Sequence, residues 1–172
     1  MLPTIIAIVA ILALIILWIT SIQRKLVVLD ENISNAMIQI GVQLSSRFDA
    51  LISLLDFTKG YAEHESDSLT EAIKSKRCLI TVKSTPEDVL CQEGIISEAL
   101  NRIAMVTEQY PELKEHQIYT KAMGAVQTFE NMMRTSRLIY NDSVTKLNRE
   151  IRMFPVSMIA WVLGFRKRDY LE

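Results

Sequence analysis

Apolar and polar positions follow two different patterns along this chain. From Met1 to Gln23 no side chain is charged, and Ile5, Ile6, Ile8, Val9, Ile11, Leu12, Leu14, Ile15, Ile16, Leu17, Trp18 and Ile19 make the centre of that stretch apolar all round. A bilayer core of about 30 Å needs roughly 20 mostly apolar residues in a helix. Leu2 to Ile22 meets that need, and a helix is the form that satisfies its own backbone hydrogen bonds in lipid. The segment therefore predicts a membrane anchor over residues 1–23. A cleaved signal fits less well: no Lys or Arg precedes the apolar core, and no small-residue triplet of the A-x-A kind follows it.

After residue 23 the apolar positions recur every three or four residues, the stripe of an amphipathic helix. Ile33, Met37, Ile40, Leu44, Phe48, Leu51 and Leu55 form one stripe, with Asp30, Asn35, Gln39, Gln43, Ser46, Asp49 and Ser53 opposite. This predicts a helix over 26–61, nearly continuous with the anchor and stopping or kinking at Gly60. A second helix is expected from about Ser66 or Ser68, where Ser68 and Glu71 fit a capping box, to about Lys83. Leu69, Ala72, Ile73, Leu79 and Ile80 supply its apolar side.

Thr85-Pro86-Glu87-Asp88 is a helix start: threonine caps, proline suits the first turn, and the two acids favour the positive helix end. The third body helix is expected over 87–110, ending at Tyr110-Pro111 because a residue before proline avoids the helical region. The last runs from Glu112 or Gln117 to Met153, with Val126, Phe129, Met133, Tyr140, Val144, Leu147, Ile151 and Phe154 as its stripe. The fold class expected is all-α: a transmembrane helix followed by an antiparallel up-and-down four-helix bundle over 24–155, with left-handed, coiled-coil-like packing.

Residues 156–172 change character again. Val156 to Phe165 is mostly apolar but too short to span, and Arg166, Lys167 and Arg168 follow it. Trp161, Phe165 and the basic cluster suit a membrane-surface segment; docking on the end of the bundle is the other reading.

Charge adds orientation. Arg24 and Lys25 follow the anchor and no basic side chain precedes it, which places the amino terminus outside and the body in the cytoplasm by the positive-inside rule. Beyond the anchor about 150 residues remain, enough for one domain with a real core. The formal net charge of −1 speaks against a nucleic-acid surface. Five glycines and four prolines leave little for tight turns and favour long elements.

Candidate chemistry is sparse. Glu63-His64-Glu65-Ser66-Asp67 offers metal-ligand types, but neighbours at a helix start do not converge and no histidine follows at i+4. His116 has no obvious role. Cys78 and Cys91 flank the Thr85-Pro86 loop and are expected as buried free thiols. Asp49 and Asp142 lack the further acids that a carboxylate site in a bundle needs. There is no nucleophile–base pattern, phosphate loop or CxxC motif. No catalytic residue, metal site or cofactor is expected. Asn141, Asn148 and Arg47 lie beside the stripes, where polar groups fix register.

Several segments carry a resemblance: Gln43-Leu44-Ser45-Ser46-Arg47-Phe48-Asp49, Lys59-Gly60-Tyr61-Ala62-Glu63-His64-Glu65, Tyr110-Pro111-Glu112-Leu113-Lys114, Tyr140-Asn141-Asp142-Ser143-Val144 and Asn148 to Pro155. In order and extent they resemble the LemA family, as does the closing Gly164-Phe165 with its basic neighbours. Where that family often has Ile-Pro-Asn-Leu, this chain has Ala50-Leu51-Ile52-Ser53-Leu54, which removes a proline kink and implies a straighter helix. The resemblance implies a single-pass bacterial membrane protein with a helical body, and carries no catalytic residues. The expected role is a scaffold or interaction module whose partners are the lipid bilayer and other proteins, with a homo-oligomer as a further option. A membrane-shaping protein and, less favoured, a membrane-tethered enzyme are the alternatives.

Overall fold

The computed structural model describes residues 2–58 and 71–171. Helix α1 covers Leu2–Thr58, α2 Pro86–Gln109, α3 Gln117–Glu150 and α4 Val156–Val162, with a 3-10 turn at Pro111–Glu115. Among the described residues there is no strand. The expected Gly60 stop, the Ser68–Glu71 cap and the acidic His64 segment lie outside the described residues.

The chain divides into two compact units. One joins residues 1–34 to 140–170; the other holds 35–139 with 171–172. Helices α1 and α3 each contribute to both.

In the unit of residues 35–139 the stripes become the core of a helical bundle. Ile40, Leu44, Phe48, Leu51, Leu54 and Leu55 of α1 are buried, as are Val89, Ile96, Ala99 and Ile103 of α2 and Val126 and Met133 of α3. The short link 110–116 makes α2 and α3 an antiparallel pair. On α1 the buried positions 40, 47 and 54 are seven apart. Two are aliphatic and the middle one is Arg47, so this seam carries a charge in its middle.

Helix α2 begins as the sequence requires. The Thr85 hydroxyl accepts from the Asp88 amide at 3.3 Å, and the Asp88 carboxylate accepts from the Thr85 amide at 2.7 Å, with Pro86 opening the helix. Two amides without helical partners are thereby satisfied reciprocally.

The second body helix ends sooner than expected. Residues 71–75 are helical, but 77–81 are not. Ile73 is buried, whereas Leu79 is exposed rather than on a core-facing stripe. The cause is tertiary. A Cβ on Gly41 would lie 2.7 Å from the Ile80 carbonyl oxygen, so this irregular strip lies directly against α1, where only glycine leaves room. Arg77 reinforces it, pairing with Asp49 at 2.8 Å and standing 5.3 Å over the buried Phe48 ring. Gln92 of α2 donates to the Lys76 carbonyl at 3.0 Å.

Candidate membrane-facing site

The unit built from residues 1–34 and 140–170 holds every residue that the sequence marks for a membrane. Its apolar helix is not core: Ile5, Ile6, Ile8, Val9, Ile11, Leu12, Leu14, Ile15, Ile16, Leu17 and Trp18 are all exposed, and Ile19 is half-buried. A soluble protein would rarely leave so large an apolar surface open. Helix α1 is long and apolar enough to cross a membrane. It passes from the apolar stretch into the amphipathic one without a break. Burial begins at Ile22 and Leu26, one turn apart.

The antiparallel pairing of α1 and α3 here is fixed by polar contacts. Lys25 Nζ meets Glu150 at 2.8 Å. Further from the apolar end, Asp30 accepts from Arg168 Nη2 at 2.9 Å and Nε at 3.2 Å, both on one carboxylate oxygen. Asn148 holds the backbone of the same Arg168: its amide nitrogen donates to the Arg168 carbonyl at 2.9 Å, and its carbonyl accepts the Arg168 N–H at 3.0 Å. The Tyr140 hydroxyl donates to the Asp169 carbonyl at 3.1 Å, and the Thr145 hydroxyl lies 3.4 Å from that of Tyr170. Burial raises the Tyr140 pKa above its ordinary 10.0, an effect that the Arg168 charge opposes and that of Asp169 adds to.

Between Glu150 and Arg168 the chain makes a hairpin around α4. That helix ends in a Schellman motif: the Gly164 amide donates to the Trp161 carbonyl at 3.2 Å and the Phe165 amide to the Ala160 carbonyl at 2.9 Å. Gly164 takes φ 79°, which favours glycine and reverses the chain. Ala160 is buried and Phe165 half-buried, on the inner side of the turn. Met158, Trp161 and Val162, spaced i, i+3 and i+4, are exposed on the other face. Phe154, expected on the α3 stripe, is 80% exposed, because α3 ends at Glu150. Arg166 and Lys167 are exposed, while Arg168 is engaged with Asp30.

A second polar cluster occupies the other unit. Arg47, only 7% exposed, pairs with Glu130 at 3.1 Å. Arg137 pairs with Glu93. These residues, with Ser97, Met133 and Arg134, line a cavity of about 260 Å³. Burial raises the Glu93 pKa above its ordinary 4.5, outweighing Arg137 and Arg47, which pull it down. Sequence reasoning named Arg47 but not its partners, which lie far away along the chain.

Other expected residues are dispersed. Cys78 and Cys91 are free and exposed, not buried: the strip carrying Cys78 is not a core-facing helix, and Cys91 lies off the buried α2 positions Val89, Gln92, Ile96 and Ala99. Asp49 is held by Arg77 and Asp142 by Lys146 at 2.6 Å. His116 stacks on Phe57 with ring centroids 4.7 Å apart. Among the described residues, no three His, Cys, Asp or Glu side chains gather as a metal site would require.

These features define an all-helical protein in which a bundle continues from an apolar, membrane-length helix. The chain belongs to the LemA family, whose model matches residues 36–172. Magnetosome protein MamQ 2 of Paramagnetospirillum magneticum is 30% identical over 84 residues, 49% of this chain and 31% of that protein. Magnetosome protein MamQ of Magnetospirillum gryphiswaldense is 26% identical over the same shares. Protein LemA of Metamycoplasma hominis is 27% identical over 135 residues, 76% of this chain and 60% of that protein. The chain thus spans between 31% and 60% of the length of these relatives.

Proposed function

We propose that this protein is a single-pass, membrane-anchored scaffold that holds a helical body beside the bilayer for protein partners. The observation that supports it most is the continuity of α1, exposed and apolar at its start and supplying Ile40, Phe48 and Leu55 to a buried core further on. The role is positional rather than chemical: the anchor fixes the place, and the bundle presents its faces.

The body lies on the cytoplasmic side in this reading, with Arg24 and Lys25 as the retaining charges and the amino terminus outside. Membranes from cells producing the full chain should retain it through alkaline carbonate washing. Release of the intact chain into the supernatant would overturn the anchor. Protease added to right-side-out vesicles should leave the body intact, and digestion of the body there would reverse the orientation.

A further inference from the structure

We infer that the α4 hairpin is a second membrane contact, which inserts its exposed apolar face among the anionic lipid headgroups of the bilayer that α1 enters. This rests on the anchor reading above and adds a site and a lipid chemistry to it.

Register gives the first argument. Within this unit α3 runs toward the apolar end of α1, since Glu150 meets Lys25 while Asn148 meets Arg168 on Asp30. The chain leaves α3 at Glu150 and is clamped again at Arg168. The base of the hairpin between them is thus set at the Lys25 end of this helix pair, the end nearer Trp18 along α1. From Lys25 to Trp18 is about 10 Å of helix, comparable with the polar layer of a bilayer leaflet, which is several ångströms thick. Ile22, inside that interval, is buried.

Chemistry gives the second. Phe154, Met158, Trp161 and Val162 are solvent-exposed, Trp161 by 82%. They are not a residue of poor folding, because the hairpin has a defined inner side at Ala160 and a glycine-specific turn at Gly164. A short helix with one apolar face, a tryptophan and flanking cations is what an interfacial segment requires. Arg152, Arg166 and Lys167 are exposed around it, and cations close to an anionic leaflet are attracted within a Debye length. Two carboxylates of the neighbourhood are paired, Glu150 with Lys25 and Asp30 with Arg168.

The two tryptophans make the test direct. Full-length Trp18→Phe, with Trp161 as sole reporter, is reconstituted in phosphatidylcholine vesicles with and without phosphatidylglycerol; Trp161→Phe reports on the anchor in parallel. In the mixed vesicles Trp161 emission should shift to the blue, lose quenching by acrylamide and gain quenching by lipids brominated near the headgroup. Arg166→Gln with Lys167→Gln should abolish the difference between the two vesicle types. If Trp18 is quenched by brominated lipid while Trp161 stays open to acrylamide in both, the hairpin inference falls and the anchor stands. If neither tryptophan is quenched by lipid, both fall. Equal lipid quenching of Trp161 in both vesicle types would overturn the role given to anionic headgroups.

Discussion

Asn148 and Arg168 exchange two hydrogen bonds, side-chain amide to main chain, as one strand of a sheet would with another. The guanidinium of the same arginine reaches Asp30. One residue is thus gripped by its backbone from α3 and by its side chain from α1.

Asn148→Ala should loosen that grip. Two exposed hydrogen bonds of about 1 kcal/mol each at most are lost, and the ion pair with Asp30 remains. Amide hydrogen exchange should quicken at residues 166–170 while the bundle core keeps its protection. Unchanged exchange at Arg168 would show that the contact to Asp30 suffices.

Glu93 makes stability depend on pH. Its raised pKa means that the folded chain holds the proton more tightly than the unfolded chain, so this group favours folding at low pH. That contribution is lost as pH rises from the ordinary 4.5 through the folded value. Glu93→Gln keeps an acceptor for Arg137 without the charge. The stability of this variant relative to wild type should therefore improve as pH rises from acid to neutral in thermal melts. A relative gain by wild type over that range would mean that the ionised pair with Arg137 is net favourable.

Gly41→Ala should destabilise by about 1–3 kcal/mol, the range for overpacking, since the new methyl would press on a backbone carbonyl and not on a yielding side chain. Gly124→Ala is the control. It lies in α3 with nothing within 4 Å, so added helix propensity should stabilise by roughly 0.5–1 kcal/mol. Opposite shifts in melting temperature are expected; a neutral Gly41→Ala would refute the close approach of residue 80.

Thr85→Ala removes one half of the capping box at the start of α2 and should cost about 1 kcal/mol. Thr85→Ser, which keeps the hydroxyl, should restore most of it. Equal losses in denaturant titrations of both variants would point to the threonine methyl instead.

Much of this fold was legible because charge and periodicity are local. The charge-free start, the stripes of α1 and α3, and the Thr85 start of α2 could be read within windows of a few turns. The stretch 77–81 could not. Leu79 and Ile80 have spacing compatible with a helix, and only the approach of Gly41, far earlier in the chain, shows why the backbone departs from one. The same holds for the candidate site. Trp161 and the basic cluster stood out by composition, but that Arg168 faces Asp30 while Arg166 and Lys167 stay free is set across 138 residues. Glu93 and Glu130 gave no signal, because an acid on a helix is ordinary until an arginine is found buried beside it.

The span between Asp30 and Arg168 also orders events during synthesis. A ribosome adding about 5–20 residues per second needs on the order of ten seconds to travel from one to the other. The leading helix therefore emerges, and must find its lipid or a chaperone, long before the arginine that caps its carboxylate has been translated.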